Sequence, residues 1–270
     1  MKYKLTGTLF LLLPFITFAQ NNVEGLTNAE KAFAKYALDS NTRDAFVQFL
    51  DTGCIVFQNG KPVNGYQLWK NRPKSTAKLI WGPEFAAIAY AGDYGVTTGP
   101  WEYKQSFNDT AVARGNFTSI WHYKNGEWKN VLDFGCSYSQ HHAPVAEVKS
   151  IVGKADHQSD FNIMQLEYSF IAQYKAMGSI AYRTVVSKNC WFNVKDHLPF
   201  NGADRLEGAI KSIPAKIDFK PLGYGISSNY DFAYVYGSVH LNDKDDNYLR
   251  VWIREKNDWK LLLQTLGLPQ

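Results

Sequence analysis

Past its first twenty residues this chain of 270 has no long apolar run, so no later segment is suited to span a bilayer. Neither half carries a His/Cys/carboxylate set at metal-ligand spacing, and no glycine loop stands after a strand and before a helix. Zinc, nucleotide and flavin are therefore not expected, and no cofactor is assigned. An excess of charge of one sign is missing too: the net charge is +4, with acids and bases interleaved. The densest basic patch, Lys70, Arg72, Lys74 and Lys78, falls at the expected end of a helix and reads as a solvated turn. A phosphate-binding stripe would need aromatic interleaving and more charge, so nucleic acid is not an expected partner. Cysteine is scarce and odd in number: Cys54, Cys136 and Cys190. They read as small buried thiols in strands, with a disulfide as the alternative, and no histidine follows at the spacing of a nucleophile pair.

What is present begins with an address. Lys2 and Lys4 precede an apolar run from Leu9 to Phe18, and Ala19-Gln20 offers a cleavage point. Residues 1–19 are expected to be a signal peptide, with the mature protein soluble in the periplasm or outside the cell. No cysteine sits at the cut, which argues against lipid attachment.

The mature chain says much the same thing twice. Ala77-Lys-Leu-Ile-Trp-Gly-Pro83 returns as Ala215-Lys-Ile-Asp-Phe-Lys-Pro221. Glu30 and Phe33 return as Glu167 and Phe170, Asn64-Gly65 as Asn201-Gly202, and Asp93 and Gly99 as Asp231 and Gly237. Trp121, Trp128 and Lys129 return as Trp252, Trp259 and Lys260, at a slightly shorter spacing that marks a loop lost from the second copy. Solenoid repeats run at periods of about 20–50 residues, so this far longer period means two whole domains instead. They are placed at 26–137 and 159–268, with 138–158 as a linker. His141 and His142 in that linker are adjacent, and neighbours diverge on any regular element, so they do not suggest a metal site.

Copy one opens with helical signals. Thr27-x-x-Glu30 matches a capping box, and Ala29, Phe33, Tyr36 and Ala37 follow at helical spacing. A second helix fits Asp44 to Leu50, Cys54 to Phe57 reads as a strand turned by Asn59-Gly60, and Asn64 caps a third helix that Pro73 limits. Strands and turns rich in Trp, Tyr, Thr and Val follow to Gly135. In copy two, Asp160, Ser179 and Asn201 are the expected caps, and strands run to Leu266. Helices followed by a long antiparallel run predict an α+β fold: two tandem cone-shaped domains, each with three N-terminal helices packed on a curved, mainly antiparallel sheet.

Certain residues carry a resemblance: Trp81-x-Pro83, Gly92-Asp-Tyr-Gly-Val-Thr-Thr-Gly-x-Trp101, Arg114-Gly115, and Trp121-x(6)-Trp128-Lys129 before Asp133. In them the chain resembles the SnoaL-like branch of the nuclear-transport-factor-two-like superfamily. The resemblance covers residues 28–137 well and 160–268 more loosely. In the second copy Trp101 becomes Val239, Arg114-Gly115 is lost and Asp133 becomes Gln264. It implies the cone fold but not one chemistry, since the superfamily holds isomerases, hydrolases, cyclases, transport adaptors and binding domains. An isomerase of the ketosteroid type needs an acid on the first strand. Here that strand offers Ile55, Val56 and Phe57, and in copy two Trp191, Phe192 and Asn193, with Asp51 ahead of it.

The last hairpin can be registered on Asn125-Gly126. Regular alternation puts Phe117, Ser119, Trp121, Tyr123, Trp128, Asn130, Leu132 and Phe134 on a concave face under the helices. Thr118, Ile120, His122, Lys129, Val131 and Asp133 fall on the convex one. In copy two, registered on Lys256-Asn257, the concave set is Tyr248, Arg250, Trp252, Trp259, Leu261, Leu263 and Thr265, against Leu249, Val251, Ile253 and Leu262. That aliphatic convex face needs cover, and the economical partner is the convex sheet of copy one, giving an intramolecular pseudo-dimer. Its seam should contain Ile120, Val131, Val251, Ile253 and Leu262. Arg250 has two readings, an internal ion pair with Glu167 or a clamp for a ligand anion. Asp93 and Asp231 read as turn formers.

A secreted protein binding a small, largely apolar molecule in an aromatic cone pocket is the leading expectation, without assigned catalytic residues. Phe33, Trp81, Trp101, Trp121, Tyr123 and Asn130 are the expected lining in copy one, with Arg250 and Trp252 in copy two. An enzyme of the SnoaL-like type and a protein-interaction scaffold are the alternatives.

Overall fold

A computed structural model describes residues 21–142, 145, 147–154 and 161–269. The expected signal peptide, its cleavage point and Asp160 lie outside the described residues.

Copy one begins with α1 (Val23–Asp39), and Asn22, not Thr27, caps it: the Asn22 side chain accepts Gly25 N–H at 2.8 Å. Thr27 lies inside the helix, its hydroxyl on Val23 O at 2.7 Å. The expected capping box is thereby overturned, and Glu30 is released to point into the domain. Asn41 caps α2 (Thr42–Phe49), which runs directly into β1 (Leu50–Gln58). Asn59 and Gly60, at φ of 52° and 72°, turn β1 into β2 (Lys61–Asn64), a conformation these two residue types tolerate best. Asn64 then caps α3 (Gly65–Lys70). The strands β3 (Lys78–Trp81), β4 (Phe85–Ile88), β5 (Tyr94–Lys104), β6 (Ala113–Lys124) and β7 (Glu127–Ser137) complete the copy. The stretch expected as a linker is more than a connector. Within it β8 (Lys149–Val152) joins the sheet edge in parallel with β4, because an edge strand leaves backbone groups open to such pairing.

Copy two runs through α4 (Ile163–Met177), capped by Asn162, then a 3-10 turn into α5 (Tyr182–Val185), β9 (Val186–Val194) and β10 (Phe200–Asn201). After α6 (Leu206–Ser212) come β11 (Asp218–Ile226), β12 (Phe232–Leu241), β13 (Lys244–Glu255) and β14 (Asp258–Leu266). Ser179 and Asn201 are not the caps expected of them: Ser179 lies within the 3-10 turn and Asn201 within β10.

The result is an α+β chain with two separate mixed sheets, each preceded by helices. The first is eight-stranded, in the order β2-β1-β7-β6-β5-β4-β8 with β3 also on β5; the second is six-stranded, β10-β9-β14-β13-β12-β11. In each sheet the strand after the second helix (β1 or β9) pairs in parallel with the last strand of its copy's long hairpin (β7 or β14), and the other pairings within the copy are antiparallel.

Helices cover one face of each sheet, and the other two faces pack on each other. Their shared cluster includes Phe85, Val96, Ile120, Leu132, Phe134, Trp191, Leu249, Val251, Ile253, Leu262 and Leu263, with Val131 packed against it. All five residues expected at the seam are there. Polar groups cross it as well. Asn193 Nδ2 donates to Thr98 Oγ1 at 2.9 Å and to Thr118 Oγ1 at 3.0 Å, and Thr118 meets Thr265 at 2.7 Å. Asp231 Oδ2 accepts Tyr90 N–H at 2.7 Å, and Asp93 Oδ2 accepts Ser228 N–H at 2.7 Å. Tyr90 and Ser228 hold equivalent places in the two copies, so the contact is reciprocal, as an isologous interface requires. The two aspartates therefore do more than form turns in their own copies.

Candidate functional site

The site depends on one extra residue in β7. The hairpin register holds from Lys124↔Glu127 to Trp121↔Asn130, and then a bulge at Val131 shifts it, giving Ile120↔Leu132 and Ser119↔Asp133. A one-residue slip sends every later side chain to the opposite face. Leu132, expected on the concave face, goes to the seam, Phe134 joins the seam cluster while still bordering the cavity, and Asp133, expected outside, turns inward. β14 carries the same device. There Val251↔Leu263 follows a shift at Trp252, so Leu263 and Thr265 face the seam while Gln264 stands beside Arg250.

Inside copy one lies a cavity of about 350 Å³. Phe33 from α1, Phe46 from α2, Trp69 from α3, and Trp81, Trp101 and Phe117 from the sheet supply its rings; Ser119 and Asp133 supply polar groups. The rings hold one another: Phe33 sits edge-on to Phe46 and to Trp81, each with centroids at 4.8 Å, and Phe46 stacks on Trp69 at 4.1 Å. Such contacts make a rigid apolar wall. Asn59, Gly60 and Arg72 also border the cavity, as does Asp246 from copy two. Arg72 stacks on the Trp69 ring at 4.3 Å.

Asp133 is half-buried and touches this cavity, and Ser119 Oγ donates to its Oδ1 at 2.9 Å. Burial first, and then the negative charge of Glu30, push its carboxyl up to about 7; the Ser119 bond works the other way. Glu30 itself is fully buried. It accepts Trp81 Nε1–H at 2.6 Å on one oxygen, and Thr97 Oγ at 2.6 Å and Trp121 Nε1–H at 3.0 Å on the other. Burial raises its pKa, and these donors pull it back. Indole N–H groups only donate, so their convergence suits the ionised carboxylate. A carboxyl group held near neutrality in an apolar cavity is equipped to exchange a proton or to orient a polar group.

Copy two fills the equivalent space. Arg250 is fully buried and ion-paired with Glu167, and its Nε donates to Gln264 Oε1 at 2.8 Å. Its guanidinium lies 4.6, 4.2 and 4.5 Å from the ring centroids of Phe170, Phe219 and Tyr248. Trp252 Nε1–H reaches Glu167 Oε2 at 3.1 Å, as Trp121 reaches Glu30. Burial opposes the charge on Arg250, but Glu167, Tyr182 and Tyr248 together more than offset it, so the guanidinium pKa rises.

Among the eight expected pocket residues, Phe33, Trp81 and Trp101 border the cavity. The other five stand elsewhere. Trp121 is fully buried behind the wall because its indole is committed to Glu30 and Thr97. Asn130, the expected polar handle, is fully buried and accepts Cys54 Sγ–H at 3.4 Å. Tyr123 packs on Trp128, with centroids at 5.3 Å. Arg250 takes the ion-pair reading, and Trp252 is core beside it. Asp51 lies within β1 but accepts its own Gly53 N–H at 2.8 Å, so it supplies no acid to the cavity. His122 stacks on Tyr94 at 4.3 Å and stays apart from Asp133. The thiols of Cys54, Cys136 and Cys190 are free and buried. His142 meets Glu84 at 2.9 Å while His141 faces Glu102 at 3.5 Å, and among the described residues no group of three His, Cys, Asp or Glu side chains gathers as a metal site would require.

Glu30, Asp133, Ser119, Phe117 and Trp69 were missing from the expected site. Glu30 had a usable signal: it repeats as Glu167, and a Glu167 able to reach an inward Arg250 must itself point inward. Asp133 had only its place in the family-like motif, because a bulge leaves no mark in regular alternation.

No family model matches the chain, and no curated protein matches it. Among solved structures it is similar to an NTF2-like protein of unknown function from Shewanella oneidensis MR-1 at 20% identity, over 41% of this chain and 94% of that one, with a TM-score of 0.33. It is similar to a putative ketosteroid isomerase from Parabacteroides distasonis ATCC 8503 at 16% identity, over 42% and 92%, with a TM-score of 0.32. The nuclear transport factor 2 of Cryptosporidium parvum matches at 12% identity, over 42% and 95%, with a TM-score of 0.35. Each of these three is matched over nearly its whole length by about two-fifths of this chain.

Proposed function

We propose that the protein is exported, and that its first cone-shaped domain binds one small, largely apolar molecule while the second acts as a closed supporting copy. The observation that carries this is the contrast between the copies. Copy one holds an open-mouthed cavity of about 350 Å³ walled by aromatic rings, within the range of about 300–1,000 Å³ usual for ligand pockets. Copy two has the same place occupied by Arg250 and its three rings. A pure scaffold would gain nothing from leaving such a cavity in one copy, since a void forfeits packing contacts. Fluorescence titration with the neutral apolar probe N-phenyl-1-naphthylamine tests the proposal. One site per chain, weakened at least tenfold by Trp101→Ala, supports it; no site removes it.

A second reading is favoured by Asp133 alone. A cavity-facing carboxyl poised near neutrality, fixed by Ser119, is placed to move a proton on a bound ligand. Under that reading turnover of a bound compound depends on Asp133 and falls at least a hundredfold in Asp133→Asn, with little change in binding of N-phenyl-1-naphthylamine.

A further inference from the structure

Resting on the reading of copy one as a small-molecule pocket, we infer that its ligand carries a planar cation of the guanidinium or amidinium type, seated between Glu30 and Asp133 where copy two seats the guanidinium of its own Arg250. The two copies define the same place by register. Ser119 faces Asp133 across one hairpin and Arg250 faces Gln264 across the other, each beside a bulge. In both copies the tryptophan two residues further on donates its indole N–H to the glutamate of the first helix. Arg250 in copy two therefore corresponds to Ser119 in copy one.

Copy one keeps the setting for a guanidinium but lacks the guanidinium. The rings against Arg250 are Phe170, Phe219 and Tyr248. Their counterparts Phe33, Trp81 and Phe117 are all aromatic and all border the cavity. Glu30 stands for Glu167, and Gln264 is replaced by a second acid, Asp133. Among the described residues neither acid has an ion-pair partner, and Glu30 is held by neutral donors only. Two close carboxyls without a cation disfavour ionisation of both, which a ligand cation reverses. Aromatic faces around the seat add to the preference for a cation. Besides Asp133 the charged groups on the cavity are Arg72, already stacked on Trp69, and Asp246 from copy two, while Glu30 lies fully buried behind the lining. Asp133 is pushed up to about 7, so a bound cation draws off its proton and affinity should rise with pH through that region.

Calorimetric titration of the full chain with benzamidine and its neutral isostere benzamide tests the inference, with N-phenyl-1-naphthylamine run alongside. Benzamidine binding at least tenfold tighter than benzamide, strengthening between pH 6 and 8, is expected. That preference should be lost in Asp133→Asn, and benzamidine binding should be abolished in Ser119→Arg, which supplies the missing guanidinium internally. If Ser119→Arg does not fold, Asp133→Asn decides alone. Benzamide binding as well as benzamidine, or the naphthylamine binding while benzamidine does not, overturns the cation and leaves the pocket standing. Failure of all three compounds to bind overturns both.

Discussion

Arg250 and Ser119 hold equivalent places, and the difference between them accounts for most of the difference between the copies. Arg250 is fully buried, so removing its charge strands Glu167 in the core. Arg250→Met should lower stability by about 3–5 kcal/mol in urea unfolding, and adding Glu167→Met should recover much of that loss. Trp121 and Trp252 both donate to a buried glutamate, so truncating either to alanine should cost about 3–5 kcal/mol, with no special effect on binding for Trp121 beyond that loss. For Asp133 the sign follows from its raised pKa. From its ordinary 3.8 to about 7, the unfolded carboxyl has lost its proton while the folded one keeps it, so stability declines as pH rises through this window and levels off above it. Urea midpoints measured from pH 4 to 8 should fall more steeply for the wild type than for Asp133→Asn. Parallel curves would mean that Asp133 titrates normally. Residue types alone disclosed part of this. An arginine on an otherwise apolar face demands an acid, and Glu167 was the acid at hand. The partners of Glu30 were hidden, because Thr27-x-x-Glu30 copies a capping box while Asn22 does the capping.

At the scale of elements, β7 decides what the cavity contains. Asn125-Gly126 set the register of the hairpin tip correctly, and alternation then carried the faces as far as Asn130. Beyond that the bulge at Val131 reversed them, and no residue type announces a bulge whose extra member is an ordinary valine. The helices and most strands were legible because side-chain periodicity is local, whereas the caps mostly were not: Asn64 stands, and Thr27, Ser179 and Asn201 do not. β8 was not, because its pairing depends on an edge of β4 distant in sequence. Deleting Val131 should restore regular alternation and turn Asp133 toward the seam. The same flip would turn Leu132 and Phe134 into the cavity, so binding of N-phenyl-1-naphthylamine should drop at least tenfold, and the thermal midpoint should fall as a charge enters an apolar layer. Retained binding and an unchanged midpoint would show that the bulge does not place Asp133.

Across the whole molecule, the two sheets act as one layer pair. The aliphatic convex face of copy two was visible in its sequence, and with it the need for a cover; the reciprocal clasp of Asp93 and Asp231 was not, since aspartate before a strand ordinarily serves its own turn. Residues 21–154 expressed alone would expose Ile120, Leu132 and Phe134, and should self-associate in size-exclusion chromatography, whereas a stable monomer would mean the seam is dispensable. On the proposed reading one interior is open and the other is closed by a side chain of its own. Stoichiometry tests that asymmetry most directly, by calorimetric titration with N-phenyl-1-naphthylamine of the wild type and of Ser119→Arg. One site per chain in the wild type and none in the filled variant is the expected result; two sites, or a site that survives Ser119→Arg, would contradict it.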